Sequence, residues 1–323
     1  MNDSEIKELD QGLAGEASRF TEAWGVFRKN RLALWGLIIF IIFFIAAVAG
    51  LVLTSGDSPV LDPSKVRLSE KLLSPLSPVN TEMIRPEDRP VLGIYLLGTD
   101  DLGRDIFARM MQGAWVSLTV GFVAVGISVL IGIVLGGLAG YYGSLRIGFV
   151  SVDTIIMRLV DIMLCFPSFF LILTIVAILP ASIYNIMAVI GLTSWMGTTR
   201  FVRAEFLSLR EQDFVAAAKV MGIRDMSIIF RHMIPNSIAP VLVSATIGIA
   251  GAILTEAGLS FLGFGVPPPH ATWGNILSDG KRFLFDAPWL TYIPGLCILV
   301  VVLAFNLCGE GLRDALNPRL RKR

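Results

Sequence analysis

"DFVAAAKVMGIRDMSIIFRHMIPN", residues 213–236, carries Asp213, Lys219, Arg224, Asp225, Arg231 and His232 between two long apolar stretches. A helix-prone, charged segment in that setting has to lie outside the hydrocarbon layer, so it divides the chain into what crosses a membrane and what connects the crossings.

Composition supports that division. The chain is 54% hydrophobic and 16% charged, against roughly 25% charged in soluble domains, and its mean hydropathy is +0.71. It reads as an all-α polytopic membrane protein. A net charge of +1 gives no global basic field for nucleic acid. Cys165, Cys297 and Cys308 lie in apolar runs without CxxC or Cys/His spacing, which predicts packing residues and no metal site. The acidic start, Asp3 to Asp10, has the wrong order for a cleaved signal peptide, so the first apolar run is expected to be retained.

A membrane core about 30 Å thick needs about 20 apolar helical residues. Runs of that kind fall at Leu32–Leu53, Val116–Leu138, Ile155–Leu179 (interrupted by Arg158, Asp161 and Pro167), Ile183–Thr198, Ile238–Leu262 and Trp289–Cys308. Six transmembrane helices place both termini on one side. Arg28, Lys29, Arg31, Arg146, Arg200, Arg203, Arg210, Lys219, Arg224, Arg231, Arg313, Arg319, Arg321, Lys322 and Arg323 share that side, which the positive-inside rule makes the cytoplasm.

From about Thr199 to Met221 there is no Pro or Gly, which predicts one helix ending at Gly222 as a left-handed cap. Asp225 is expected to cap a second helix through Met233, and Pro235 with Asn236 to break the chain before the fifth span. Phe214, Ala217, Ala218 and Met221 recur at i, i+3, i+4 and i+7 and form a narrow apolar ridge. The spacing serves equally a helix inserted into a protein groove and one lying on lipid or on its own bundle.

Elsewhere, charged and small residues in the spans have bland uses. Glu256 lies about 27 Å along the fifth span from Ile238, near its far interface, which favours a structural or gate-lining role over substrate contact. Arg158 and Asp161, at i, i+3, are expected to neutralise each other; a pathway role for Asp161 is the alternative. Gly132, Gly136 and Gly140 suit close helix packing. Asp100, Asp101, Arg104 and Asp105 suit a capped, salt-bridged start to the second span. Pro267, Pro268 and Pro269 with Trp273 suggest a stiff external loop bearing an interfacial aromatic anchor.

Ala217, Ala218, Gly222, Ile234, Pro235 and Asn236 resemble the cytoplasmic signature loop of the membrane subunits of binding-protein-dependent ABC importers. "RKNRLALWGL" (28–37), "LGTDDLGRDIFARMMQGAWVSL" (97–118), "EAGLSFLGFGVPPPHATWGNIL" (256–277) and "PGLCILVVVLAFNLCGEGLRDALNPRLR" (294–321) extend the resemblance over nearly the whole chain, to the dipeptide, oligopeptide and nickel permease C type. Ala216 departs from the pattern, because the family's motif usually opens with an acid there.

The resemblance implies a type I ABC importer permease architecture. Residues 1–31 would be a cytoplasmic N-terminal segment and 32–53 the first transmembrane helix, followed by an external loop region at 54–115. A five-helix core would fill 116–309, with the coupling loop at 199–236 and a cytoplasmic tail at 310–323. It implies a second homologous permease subunit, two ATP-binding subunits, an external substrate-binding protein and membrane lipid as partners, in a bacterial inner membrane. It also implies that Phe214, Ala217, Ala218, Met221, Gly222, Arg224 and Pro235 form the ATPase-coupling surface. No P-loop is present, since Arg282 follows Gly280 and Lys281 and Asn275 stands where the first glycine belongs. The expectation is therefore a non-enzymatic chain that binds no cofactor, with ATP and magnesium used by partner chains. The competing reading is a secondary transporter, which normally shows inverted repeats and mid-membrane polar groups. His232 and His270 fall on opposite sides and supply no shared site for a membrane enzyme.

Overall fold

In the computed structural model, residues 21, 23–56 and 58–316 are described. The acidic lead before Thr21, and Arg319, Arg321, Lys322 and Arg323 of the basic tail, lie outside the described residues. Helix α1 is Arg31–Thr54, entered through Asn30, whose side chain accepts from the Ala33 N–H at 3.2 Å. Asn30 also reaches Asp314 Oδ2 at 3.4 Å, joining the two ends of the chain.

Helix α2, Ile106–Tyr141, has 36 residues and is about 54 Å long, well beyond the hydrocarbon thickness. The helix that contains the span expected from Val116 therefore begins ten residues earlier, at Ile106, within the stretch 54–115 expected to be loop. Asp105 caps the helix by accepting from the Phe107 N–H at 2.8 Å. Arg109 is tolerated inside α2 because its guanidinium is bound to Asp100 and lies 3.1 Å from Asp279. Residues 55–105 form a small folded unit, pinned by a two-stranded pairing of Ser77–Pro78 with Ile94–Tyr95. Buried Glu70 accepts from the Tyr95 hydroxyl and, at 2.7 Å, from the Asn80 N–H.

The third and fourth apolar runs are broken helices. Helices α3 (Val152–Cys165) and α4 (Ser168–Ile178) meet at 81° across Phe166 and Pro167, where proline has no N–H and disfavours a helical residue before it. Helix α5, Ile183–Leu192, stops short because the Thr193 and Ser194 hydroxyls bond back to Val189 O and Ile190 O, each at 2.6 Å. Helix α6, Trp195–Arg210, follows and packs along α2. Among the described residues, α1, α2, α8 (Asp225–Phe261) and α10 (Trp289–Leu316) are each long and apolar enough to cross a membrane, with the α3–α4 pair as a fifth crossing. The remaining expected run, Ile183–Thr198, falls on the ten-residue α5, which is too short to cross alone, and on the first turn of α6. α10 runs on to Leu316, past the expected end of the core at 309, because Gly309 and Gly311 let it press against Thr246, Ala33 and Phe27.

α2 lies along α6 through its glycines. A Cβ at Gly132 would sit 2.5 Å from Thr198 Cγ2, at Gly136 2.6 Å from Thr199 O, and at Gly140 2.4 Å from Phe206 Cβ. The anticipated Arg158–Asp161 pair is absent: Asp161 takes Arg200 Nη2 of α6 at 2.5 Å, on the face of α3 that also pairs Asp153 with Arg203 of α6. Trp273 is likewise no interfacial anchor. It begins α9 (Trp273–Gly280), is 1% exposed, and its indole N–H donates to Met110 O at 3.2 Å.

Candidate functional site

The elbow is built from two short turns around one glycine. The single helix expected over 199–221 is interrupted at Glu211 and Gln212, where Gln212 is extended (ψ +148°), and resumes as α7, Asp213–Val220. Gly222, at φ +72°, closes α7. Its N–H donates to Lys219 O at 3.0 Å and that of Ile223 to Ala218 O at 3.1 Å, the paired bonds of a Schellman end. A substituted Cβ at Gly222 would meet nothing within 4 Å, so the φ angle alone calls for glycine.

Asp225 does not act as the N-cap expected of it; Arg224 holds that position without a side-chain bond. Asp225 instead accepts from the Tyr141 hydroxyl at 2.6 Å, tying the elbow to the end of α2. Lys219 Nζ lies 5.2 Å from the centre of the same ring. Pro235 is no exit either, because α8 runs through it. The widened π-helical turn at Ile229–Met233 relieves the clash its ring would otherwise make with the carbonyl four residues back. From Asp225 onward the elbow is therefore one continuous helix with the membrane-long span that follows.

The anticipated ridge is split between two faces. Val215 and Ala218 are buried, in one cluster with Phe206, Val202, Ile228 and Met233. Phe214, Ala217, Met221 and Arg224 are exposed, with Val220 (89%) and Met221 (71%) standing farthest out. Ala218 thus braces the elbow from within. Val220, and Met226 on α8, are further exposed apolar residues that the i, i+3, i+4, i+7 pattern did not include. Ala216, where the acid is replaced, is exposed, and Asp213 supplies the acid of the first turn instead.

Two half-open cavities run along one face of α8. One, of about 350 Å³, is lined by Ser128, Ser194, Thr198, Ser244 and Thr255 among small and apolar residues. The other, of about 600 Å³ at the elbow end, is lined by Glu205, Asn236, Pro240 and Arg313. Ser244 and Ile247 border both. These hydroxyls carried little signal in the sequence, because serine and threonine in apolar helices commonly bond their own backbone, as Thr255 does to Gly251 O at 2.8 Å. Glu256 borders neither cavity. It is fully buried, accepting from Ser260 Oγ at 2.7 Å and Ser117 Oγ at 3.3 Å, and Ser117 in turn accepts from the Trp273 N–H. The carboxyl thus joins α2, α8 and the start of α9. Asp161, exposed on α3 and paired with Arg200, also lies outside both cavities.

Residues 128–322 match the family described as binding-protein-dependent transport system inner membrane component, and residues 18–75 match the N-terminal TM domain of oligopeptide transport permease C. The dipeptide transport system permease protein DppC of Alkalihalophilus pseudofirmus is 41% identical over 304 residues, covering 94% of this chain and 91% of its own. The oligopeptide transport system permease protein OppC of Bacillus subtilis is 34% identical, covering 92% of this chain and 88% of its own. A chain of the inward-facing MetNI methionine ABC transporter matches with a TM-score of 0.52 at 16% identity, covering 66% of this chain and 98% of that one, a likeness of fold.

Proposed function

Because this chain belongs to the binding-protein-dependent transport system inner membrane components, a non-catalytic, multi-pass permease subunit of a bacterial ABC importer, we propose that it carries peptides and takes its drive through the 213–224 elbow. An ATPase and a substrate-binding protein are its general partners. The finer assembly is one such chain with a second homologous permease, two ATP-binding subunits that hold ATP and magnesium, and an external binding protein. In this reading the complex sits in the inner membrane with both termini cytoplasmic, and this chain itself holds no cofactor. Peptide cargo is supported by the dipeptide and oligopeptide names of its relatives.

The observation that carries the coupling role is the two-faced elbow. Phe214, Ala217, Val220 and Met221 offer an apolar surface outside the spans, while Val215 and Ala218 fix it to the bundle. Arg224 and the closing Gly222 set its end, and Pro235 lies in the stiff helix that follows. Closure of the ATPase subunits on ATP would push the elbow, and α8 would carry the displacement to the cavities along its face. The same reading makes Ser128, Thr198, Ser244 and Thr255 the pathway lining and gives Glu256 the task of holding the gate. Asp161 is left the role of an ion pair between helices.

Affinity capture of the tagged chain from detergent-solubilised membranes tests the docking. An ATP-binding subunit is expected with the wild type and lost with Phe214→Asp/Met221→Asp at matched expression. Its retention by the double variant overturns the docking assignment. Cargo is tested by ATP-dependent, ionophore-insensitive uptake of a labelled dipeptide into proteoliposomes holding the complex. Uptake that follows an ion gradient instead of ATP overturns the coupling reading.

A further inference from the structure

The two cavities along α8 differ in charge. The one of about 350 Å³ is lined by no charged residue. The one of about 600 Å³, at the elbow end, is bordered by Glu205 of α6 and Arg313 of α10, with α8 supplying the rest of the wall through Asn236 and Pro240. Glu205 is half-buried and Arg313 exposed, and among the described residues neither makes an ion pair or a side-chain hydrogen bond. One cavity therefore carries an acid and a base that leave each other unpaired, while Phe201, Val243 and Leu316 give the same cavity apolar wall.

Pro240 adds an acceptor. It lies inside α8 and has no N–H to offer the carbonyl four residues back, that of Asn236. Backbone freed in this way in a membrane helix is tolerated where it borders a cavity or a neighbouring group, and both residues border this one. The Asn236 side-chain amide is engaged elsewhere, donating to His232 O at 2.6 Å. A ligand matched to this wall carries a cation at one end, an anion at the other and no charge between. A free short peptide has that form: an α-ammonium, neutral amides and an α-carboxylate. The cavity's volume falls within the range of small-ligand sites, about 300–1,000 Å³.

We propose that the elbow-end cavity binds the free termini of a short peptide, with Glu205 and the Asn236 carbonyl receiving the ammonium and Arg313 the carboxylate. The choice of a peptide rests on the transport reading above; the placement of the two charges does not. On that reading the site holds cargo at the cytoplasmic end of the pathway, next to the uncharged cavity with which it shares Ser244 and Ile247.

The probe is alanyl-phenylalanine, with its N-acetyl and C-terminal amide forms as comparators, added to the full chain in lipid nanodiscs without a binding protein and read by titration calorimetry. Expected is saturable binding of the free dipeptide, weakened about tenfold or more by either block, as befits loss of a charge-assisted hydrogen bond. The blocks should then pair with the variants. In Glu205→Gln, acetylation should lose most of its effect while amidation still weakens binding, and in Arg313→Gln the reverse should hold. The comparison is made within each folded variant, so a general loss of affinity does not imitate it. If one variant fails to reconstitute, the other and the wild-type response to the two blocks still decide. Binding indifferent to the blocks, losses without that pairing, or no binding of the free dipeptide each overturn the site. ATP-dependent uptake is scored apart. The crossed pattern without uptake keeps the site and counts against the transport reading, whereas uptake without the crossed pattern keeps that reading and removes the site.

Discussion

Gly103, in the 55–105 unit, and Gly222, in the elbow, hold the same φ of +72° in opposite surroundings. A Cβ on Gly103 would lie 1.8 Å from Arg67 O, whereas one on Gly222 would meet nothing within 4 Å. The same backbone device is sealed into packed structure at one end of α2 and left open at the other. Side chains repeat the contrast. Asp100 is wholly buried and binds Arg104 Nε at 2.6 Å as well as Arg109, while the elbow is held by Tyr141 on Asp225 and one small apolar cluster. One end is sealed into packed structure, and the other leaves an apolar face exposed.

The largest way to break this contrast is Asp100→Ala. It takes the buried acceptor from Arg109 and Arg104, leaving them Asp279, and frees the Leu102 and Arg104 N–H groups that now bond Asp100 Oδ1 at 2.9 Å. Removing one partner of a buried ion pair should cost about 3–5 kcal/mol, read as a lowered unfolding midpoint in detergent. An unchanged midpoint would show that the 55–105 unit contributes nothing to the stability of the whole.

The two glycines form a matched pair for the next test. Gly103→Ala adds a backbone collision to left-handed strain and should cost about 3 kcal/mol, and Gly222→Ala should cost about 1 kcal/mol from strain alone. Similar losses would mean that the packing difference between the ends is not energetic. Gly222→Pro is harsher, because its ring cannot adopt a positive φ and removes the N–H bonded to Lys219 O. It should uncouple ATP hydrolysis from uptake while the chain stays in the membrane. Normal uptake by that variant would sink the coupling role.

What the sequence revealed follows the range of the forces involved. Long apolar runs, the left-handed cap at Gly222 and the glycine stripe at 132, 136 and 140 are local signals, and the structure uses each of them. The break at Gln212, the true partner of Asp161 and the burial of Trp273 depend on contacts made across the bundle, which spacing along one helix does not encode. Pro235 reads as a stop, because a proline rule is local, while the π-helical turn that accommodates it is set by the packing of Ile229 and Met233 on α6. The family signature located the elbow, and burial then divided its ridge into a bracing face and an offered one.

The smallest effect on stability should come from the variant with the largest effect on coupling. Phe214 and Met221 are 39% and 71% exposed on a segment outside the spans, so neither fills the cluster that braces the elbow. Phe214→Asp/Met221→Asp should change the unfolding midpoint by no more than about 0.5 kcal/mol allows, the usual bound for surface positions. A carboxylate forced into an apolar docking groove, by contrast, is desolvated without a partner, so the same pair should abolish capture of the ATPase. If the double variant instead loses several kcal/mol by itself, Phe214 and Met221 belong to the bundle's own packing. The elbow would then be as self-contained as the opposite end, and the contrast between the two would disappear.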